Sequence, residues 1–162
     1  MAKRKAGGPT PAIRALQDAG VSHSLHPYDH DPAAGSYGAE AAAALGLPPA
    51  QVFKTLLADA DGRLVVAVVP VTGRLDLKAL AAAVAARRAS MADPDVAERS
   101  TGYVVGGIAP LGQRRALPTV IDDSAFEHDV IYVSGGRRGL DVGLAPTDLA
   151  RLLDASRAPI SR

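Results

Sequence analysis

The stretch Gln51 to Val69, QVFKTLLADADGRLVVAVV, decides the fold. Val52 to Ala58 is apolar at both alternating sets of positions, and Leu64 to Val69 contains no polar side chain. Both segments therefore read as strands covered on two faces. Asp61-Gly62 between them is a two-residue hairpin signal, because such a turn needs residues that tolerate a left-handed backbone. The centre of the molecule is predicted to be a pair of core strands inside a larger sheet.

Lys54 is the only charge in Val52 to Ala58, and strand alternation puts it on one face with Val52 and Leu56. Lysines are rarely buried without a partner, since desolvation disfavours the ammonium. Two readings are open: Lys54 opens into a cleft and meets a phosphate or carboxyl, or it faces water from an edge strand.

Helix signals flank this pair. Thr10 caps a helix with Pro11 in its first turn and Gly20 as its stop, and Ser36 opens a second, YGAEAAAALG, ended by Gly46. Asp76 caps LKALAAAVAARR, Asp93-Pro94 starts a short helix closed near Gly102, and TDLARLLDA is the last. VSHSLH, from Val21 to His26, and LPTVID read as further strands. VIYVSGGRRGLDVGL reads as a hairpin turning at Gly135-Gly136. Helices interspersed with strands predict an α+β fold, a mixed sheet curled towards a barrel with helices packed around it.

The 162 residues suit one domain, placed at 10–162 behind a basic tail at 1–9, and show no internal repeat. Cysteine is absent, which excludes disulfides, thiolate metal sites and a cysteine nucleophile. No run approaches a signal peptide or membrane span, so a soluble, cytoplasmic protein is expected. A net charge of +1 argues against a nucleic-acid coat, yet the arginines fall in pairs, Arg87-Arg88, Arg114-Arg115 and Arg137-Arg138, beside the run Lys3-Arg4-Lys5. They form either a small phosphate-facing patch or ordinary solvated surface.

TGYVVGGIAPLG, Thr101 to Gly112, holds four glycines and no charge. Gly107 and Gly112 have the spacing of a phosphate-binding loop, but Gln113 and Arg114 stand where it needs Lys and Ser/Thr, and Pro110 removes an amide. What Gly106 to Pro110 can offer is fixed backbone N–H groups close to a ligand, the donors that stabilise an oxyanion. A plain turn between strands is the competing reading.

Asp141 shares a strand face with Gly143, and either points into a shallow pocket, where it would hold an ammonium group, or faces solvent. HPYDHD, His26 to Asp31, crowds two imidazoles and two carboxylates, but Pro27 denies them helical ligand spacing, and no metal site is expected. Tyr28 within it suits a ligand wall. There is no G-x-S-x-G, H-E-x-x-H or C-x-x-C motif, and six aromatic residues are too few for base stacking to dominate binding.

TPAIRAL, HPYDHDP, VFKTLL, VVPVTGRLDLKALA, MADPDVAERSTGYVVGGIAPLGQRR and IYVSGGRRGLD occur in this order between Thr10 and Asp141. Together they closely resemble the YbaK/EbsC-type Cys-tRNA(Pro) deacylases, part of the wider family of prolyl-tRNA synthetase-associated editing domains, over Thr10 to Asp154. The resemblance implies hydrolysis, in trans, of the ester joining a mischarged amino acid to tRNA, with the substrate's own cysteine thiol attacking its carbonyl. It places catalytic roles on Lys54, Gly106 and Asp141, and substrate binding on Tyr28, Thr55, Gly107, Ile108, Pro110 and Ser134. It implies no cofactor and no metal. The partners it implies are the acceptor end of mischarged tRNA and prolyl-tRNA synthetase, without membrane or DNA. One departure is Ala109, where such relatives commonly carry serine. A non-catalytic adaptor that docks on the synthetase or on tRNA is the alternative from a different class.

Overall fold

The computed structural model describes residues 8–31, 33 and 36–162. Most of the expected tail, residues 1–7, lies outside them. The hairpin at the centre forms as the sequence predicts: β2 (Phe53–Ala60) pairs antiparallel with β3 (Arg63–Pro70). Asp61 and Gly62 take φ of 51° and 87° in the turn. From Val65 onward β3 is buried at every position, which is why its sequence shows no alternation.

Two further strands share this sheet with β4 (Ala89–Met91): β5 (Thr119–Asp122) and β8 (Ser156–Ala158). The order is β4-β2-β3-β5-β8. The contacts of β2 with β4 are antiparallel, whereas β3 with β5 and β5 with β8 are parallel, so the sheet is mixed. A second sheet has the order β1-β7-β6, built from β1 (Ser24–Pro27), β6 (Ile131–Arg137) and β7 (Leu140–Leu144). A single parallel bridge, Val52 to Tyr132, joins the two sheets. The expected α+β fold with a curled mixed sheet is present, and its barrel is not closed.

Among the described residues five α-helices complete it: α1 (Pro11–Asp18), α2 (Tyr37–Leu45), α3 (Leu77–Ala83), α4 (Pro94–Thr101) and α5 (Pro146–Leu153). Thr10, Ser36, Asp76 and Asp93 cap the first four through their side chains. One core lies between the sheets and gathers Ile13, Leu16, Phe53, Leu57, Val66, Val68, Val133, Val142 and Leu149. The other, with Ala58, Ala60, Val65, Ala67, Val69 and Leu80, lies between the opposite face of the larger sheet and α3. No described helix is long and apolar enough to cross a membrane.

Three boundaries differ from the sequence reading. The helix at Leu77 stops at Ala83 instead of Arg88, because Ala85 turns left-handed at φ 58° and the chain re-enters the sheet as β4. Alanine favours helix locally, but cross-strand pairing with Ala58–Ala60 overrides that preference. The hairpin turns at Arg138-Gly139, and the glycines at 135 and 136 form a bulge, where the register shifts between Ser134 and Arg137. The strand expected over Val21 to His26 starts only at Ser24.

Candidate active site

β4 covers β2 only over Ala58–Ala60, which leaves the edge from Phe53 to Leu56 without a strand on that side. A cleft of about 360 Å³ opens there. Both faces of β2 reach it, Lys54 and Leu56 from one and Thr55 and Leu57 from the other. Tyr28, Tyr37, Met91, Gly106, Ile108, Ser134 and Asp141 supply the remaining walls. Of the nine residues singled out from the sequence, Tyr28, Lys54, Thr55, Gly106, Ile108, Ser134 and Asp141 line this one space.

Gly107 and Pro110 are not among the lining residues; both are buried behind the turn. The Gly107 amide closes a turn onto the Val104 carbonyl at 2.8 Å, and a Cβ on Gly107 would stand 2.8 Å from the backbone of Arg137. Its role is close packing against the β6-β7 hairpin. Gly106 itself has φ 89°. The turn around it is clamped on both sides of Val105, whose amide donates to Glu98 Oε2 at 2.8 Å and whose carbonyl accepts from Arg138 Nε at 2.9 Å. Among the described residues the Gly106 and Ile108 amides donate to no protein acceptor. Ala109 is fully buried in the core and lies away from the cleft.

Asp141 sits on the middle strand of the smaller sheet, opposite His26 on β1 and Ser134 on β6. It is 5% exposed, and its carboxylate makes neither a hydrogen bond nor an ion pair among the described residues. Burial alone raises its pKa to about 7. Asp122, equally buried, shows what a satisfied carboxylate looks like here. Burial raises its pKa too, but donors from Ser124, Ile160 and Ser161 outweigh that and hold it below the ordinary range. Asp141 thus lines the cleft as a buried carboxyl with no partner among the described residues.

Lys54 Nζ donates to the Gly73 carbonyl at 3.1 Å, which fixes its long side chain. Burial, and then the neighbouring Arg74 guanidinium, hold its pKa below 10.5. The Thr55 hydroxyl is buried with no hydrogen-bond partner, alone in this among the described side chains. The Tyr28 phenol is raised by burial and by Asp141. Ser134 Oγ accepts the Gly136 amide at 3.2 Å.

No three potential metal-ligating side chains converge among the described residues. His30 pairs with Glu40 at 2.8 Å, and His26 with Ser24 at 2.7 Å on an exposed face outside the cleft lining. Neither serine of the cleft, Ser36 or Ser134, has a histidine partner. Among the described residues the cleft therefore offers a cation, an unpaired carboxyl and a turn with two unbonded amides, and neither of its serines is paired with a histidine base.

Tyr37 and Met91 were not singled out from the sequence. Tyr37 looks like the first residue of an alanine-rich helix. Its ring packs on Gly106, beneath Arg138 at 5.1 Å from the ring centre and beside His30 at 5.8 Å. The tyrosine directly after the Ser36 cap was the available signal. Met91 reaches the cleft only because β4 exists, which alanine-rich sequence concealed.

The family described as "Aminoacyl-tRNA editing domain" matches residues 31–152. The chain is 33% identical, over 99% of its own length and 98% of the relative's, to "Putative Cys-tRNA(Pro)/Cys-tRNA(Cys) deacylase EbsC" of Enterococcus faecalis. It is 34% identical to a proline–tRNA ligase of Acidithiobacillus ferrooxidans over 54% of this chain, which corresponds to 15% of that protein. Two solved structures share the fold at 23% identity. One is titled as a "putative trans-editing enzyme for prolyl tRNA synthetase", with TM-score 0.78 over 96% of this chain and 99% of that one. The other is the hypothetical protein APE2540, with TM-score 0.84 over 94% of this chain and 99% of that one.

Proposed function

Because the chain belongs to the aminoacyl-tRNA editing domain family, we propose that it is a deacylase that hydrolyses mischarged Cys-tRNA(Pro) in trans. The observation that carries this reading is the unpaired buried carboxyl of Asp141, in one cleft with Lys54 and the Gly106 turn. An aminoacyl ester presents an α-ammonium, a carbonyl and a ribose phosphate close together. The cleft offers a counterpart to each.

In this reading Asp141 takes the α-ammonium, which pairs the buried carboxylate and favours its ionised form. The Gly106 amide, with that of Ile108, meets the developing oxyanion, and Lys54 stands near the terminal ribose and phosphate. Tyr28, Thr55 and Ser134 bound the space for the amino acid.

The chain contains no cysteine, and the substrate supplies the nucleophile. A thiol with pKa about 8.5 is partly ionised near neutrality and is strongly nucleophilic. Its sulfur bonds to the ester carbonyl carbon, the bond from that carbon to the ribose oxygen breaks, and the thiol's proton ends on the released tRNA hydroxyl. The other product is a thiolactone, which water opens. The protein's contribution is position and charge stabilisation.

The test is a deacylation panel of Cys-, Ala-, Ser- and Pro-tRNA(Pro), with and without prolyl-tRNA synthetase. Faster loss of the cysteinyl ester than of the others is the expected result, together with slowing by Lys54→Ala and Asp141→Ala. Binding across the panel with no turnover would identify a non-catalytic adaptor instead.

A further inference from the structure

The three arginine pairs have different fates. Arg138 is tied to Val105 and Tyr37, and Arg114 hydrogen-bonds the Arg99 carbonyl at 3.5 Å. Arg87 and Arg88 are held by their backbones instead: both amides donate to the Asp61 carboxylate, at 2.7 and 3.2 Å, and the Arg88 carbonyl accepts from the Asp61 amide. Their side chains are exposed and engage no carboxylate among the described residues, and neither does that of Lys78. These three cations rim a second groove, floored by Ala81, Ala86 and Ala89 between α3 and β4.

The groove and the cleft lie at the two ends of β4, the edge strand of the larger sheet. Along β2 the residues Ala60, Ala58, Leu56 and Lys54 alternate onto the α3 side, and Ala60 and Ala58 pair with Ala89 and Met91. Ala89 lines the groove and Met91, half exposed, lines the cleft. Six residues of strand separate the groove from Lys54, roughly 20 Å at ~3.3 Å per residue. The exposed part of this route is β4 itself, where Ser90 and Met91 are exposed while Ala58 and Ala60 lie buried beneath α3, and positive charge stands at both ends, with Arg74 beside Lys54 at the far one.

We infer that Lys78, Arg87 and Arg88 form a phosphate-binding surface for RNA whose single-stranded 3′ end runs over β4 into the cleft. This rests on the aminoacyl-tRNA reading above. A polyanion is the occupant that the charges favour, because Lys78, Arg87 and Arg88 are all exposed around one groove and none is paired with a carboxylate among the described residues. Such contacts position the nucleic acid without reading its sequence. That suits a module whose net charge is only +1.

The test is binding of uncharged tRNA at several salt concentrations by the full chain, by Lys78→Ala/Arg87→Ala/Arg88→Ala, and by Arg14→Ala/Arg115→Ala/Arg151→Ala. The second triple removes the same charge from elsewhere on the surface. Three lost phosphate contacts lower the slope of log affinity against log salt by about 2, and the groove triple shows this drop while the control triple keeps the parent slope. Equal slopes in the two triples would overturn the assignment, as would a parent-like slope in the groove triple. Failure of the deacylase reading would appear elsewhere, as absent turnover by the parent protein, because the slope is measured on tRNA that carries no ester.

Discussion

The Tyr37 ring lies so close to Gly106 that a Cβ on the glycine would stand 2.7 Å from ring carbon Cε1. Gly106 also has φ 89°, a backbone that other residues adopt only with strain. Two independent constraints therefore meet at the residue proposed to hold the ester carbonyl. Gly106→Ala should remain folded by circular dichroism and lose about 10²-fold in deacylation rate, the usual effect of losing one oxyanion donor. Parent-like turnover would remove Gly106 from the mechanism.

The contact also makes Tyr37 a positioning residue for the turn. Its ring, and not its hydroxyl, touches Gly106, so Tyr37→Phe should keep the parent rate. Tyr37→Leu should lower kcat by about tenfold with little change in KM, through misplacement of the donor. A KM effect alone would mean that Tyr37 only lines the cleft.

Asp141 predicts a pH dependence of stability. Its pKa rises from 3.8 to about 7 on folding, so the folded state binds the extra proton between those values. The protonated form's contribution is complete below pH 3.8 and is lost as pH rises through 7. Asp141→Asn removes this cost, and its melting temperature should exceed the parent's by a margin that grows from pH 4 to pH 8. Activity should move the other way: the parent gains rate as Asp141 ionises, while Asp141→Asn stays slow throughout. A constant melting difference across that range would mean that Asp141 titrates normally.

Thr55 carries an orphaned hydroxyl, and a buried unpaired donor costs stability that function must justify. Thr55→Val keeps the shape and should stabilise the free protein by about 1 kcal/mol in thermal or denaturant unfolding. The same change should weaken discrimination between cysteinyl and alanyl esters. Stabilisation without any change in selectivity would leave Thr55 as a packing residue.

Lys54→Ala should slow deacylation by about tenfold or more, through loss of the cation near the leaving oxygen. Lys54→Arg should restore only part of the rate, because the longer, planar guanidinium carries its charge to a different place from the compact ammonium held at the Gly73 carbonyl. Full activity in the arginine variant would show that charge alone is needed.

The sequence by itself determined the central hairpin, four of the helix caps and the family. Each depends on local chemistry: unbroken apolar runs, Asp61-Gly62, and Thr, Ser or Asp before a helix. Lys54 and Asp141 were also legible, as charges misplaced in strand patterns. Only the tertiary structure decided whether those charges faced water or a cleft, because the answer depends on where β4 stops covering β2. It also decided that Gly106 faces the cleft while Gly107 packs against Arg137, a distinction between two identical neighbours that no sequence pattern carries. β4 itself, and with it Met91 and the route from Arg87 to Lys54, comes from pairing between residues about 30 apart, which overrides the helical preference of its alanines.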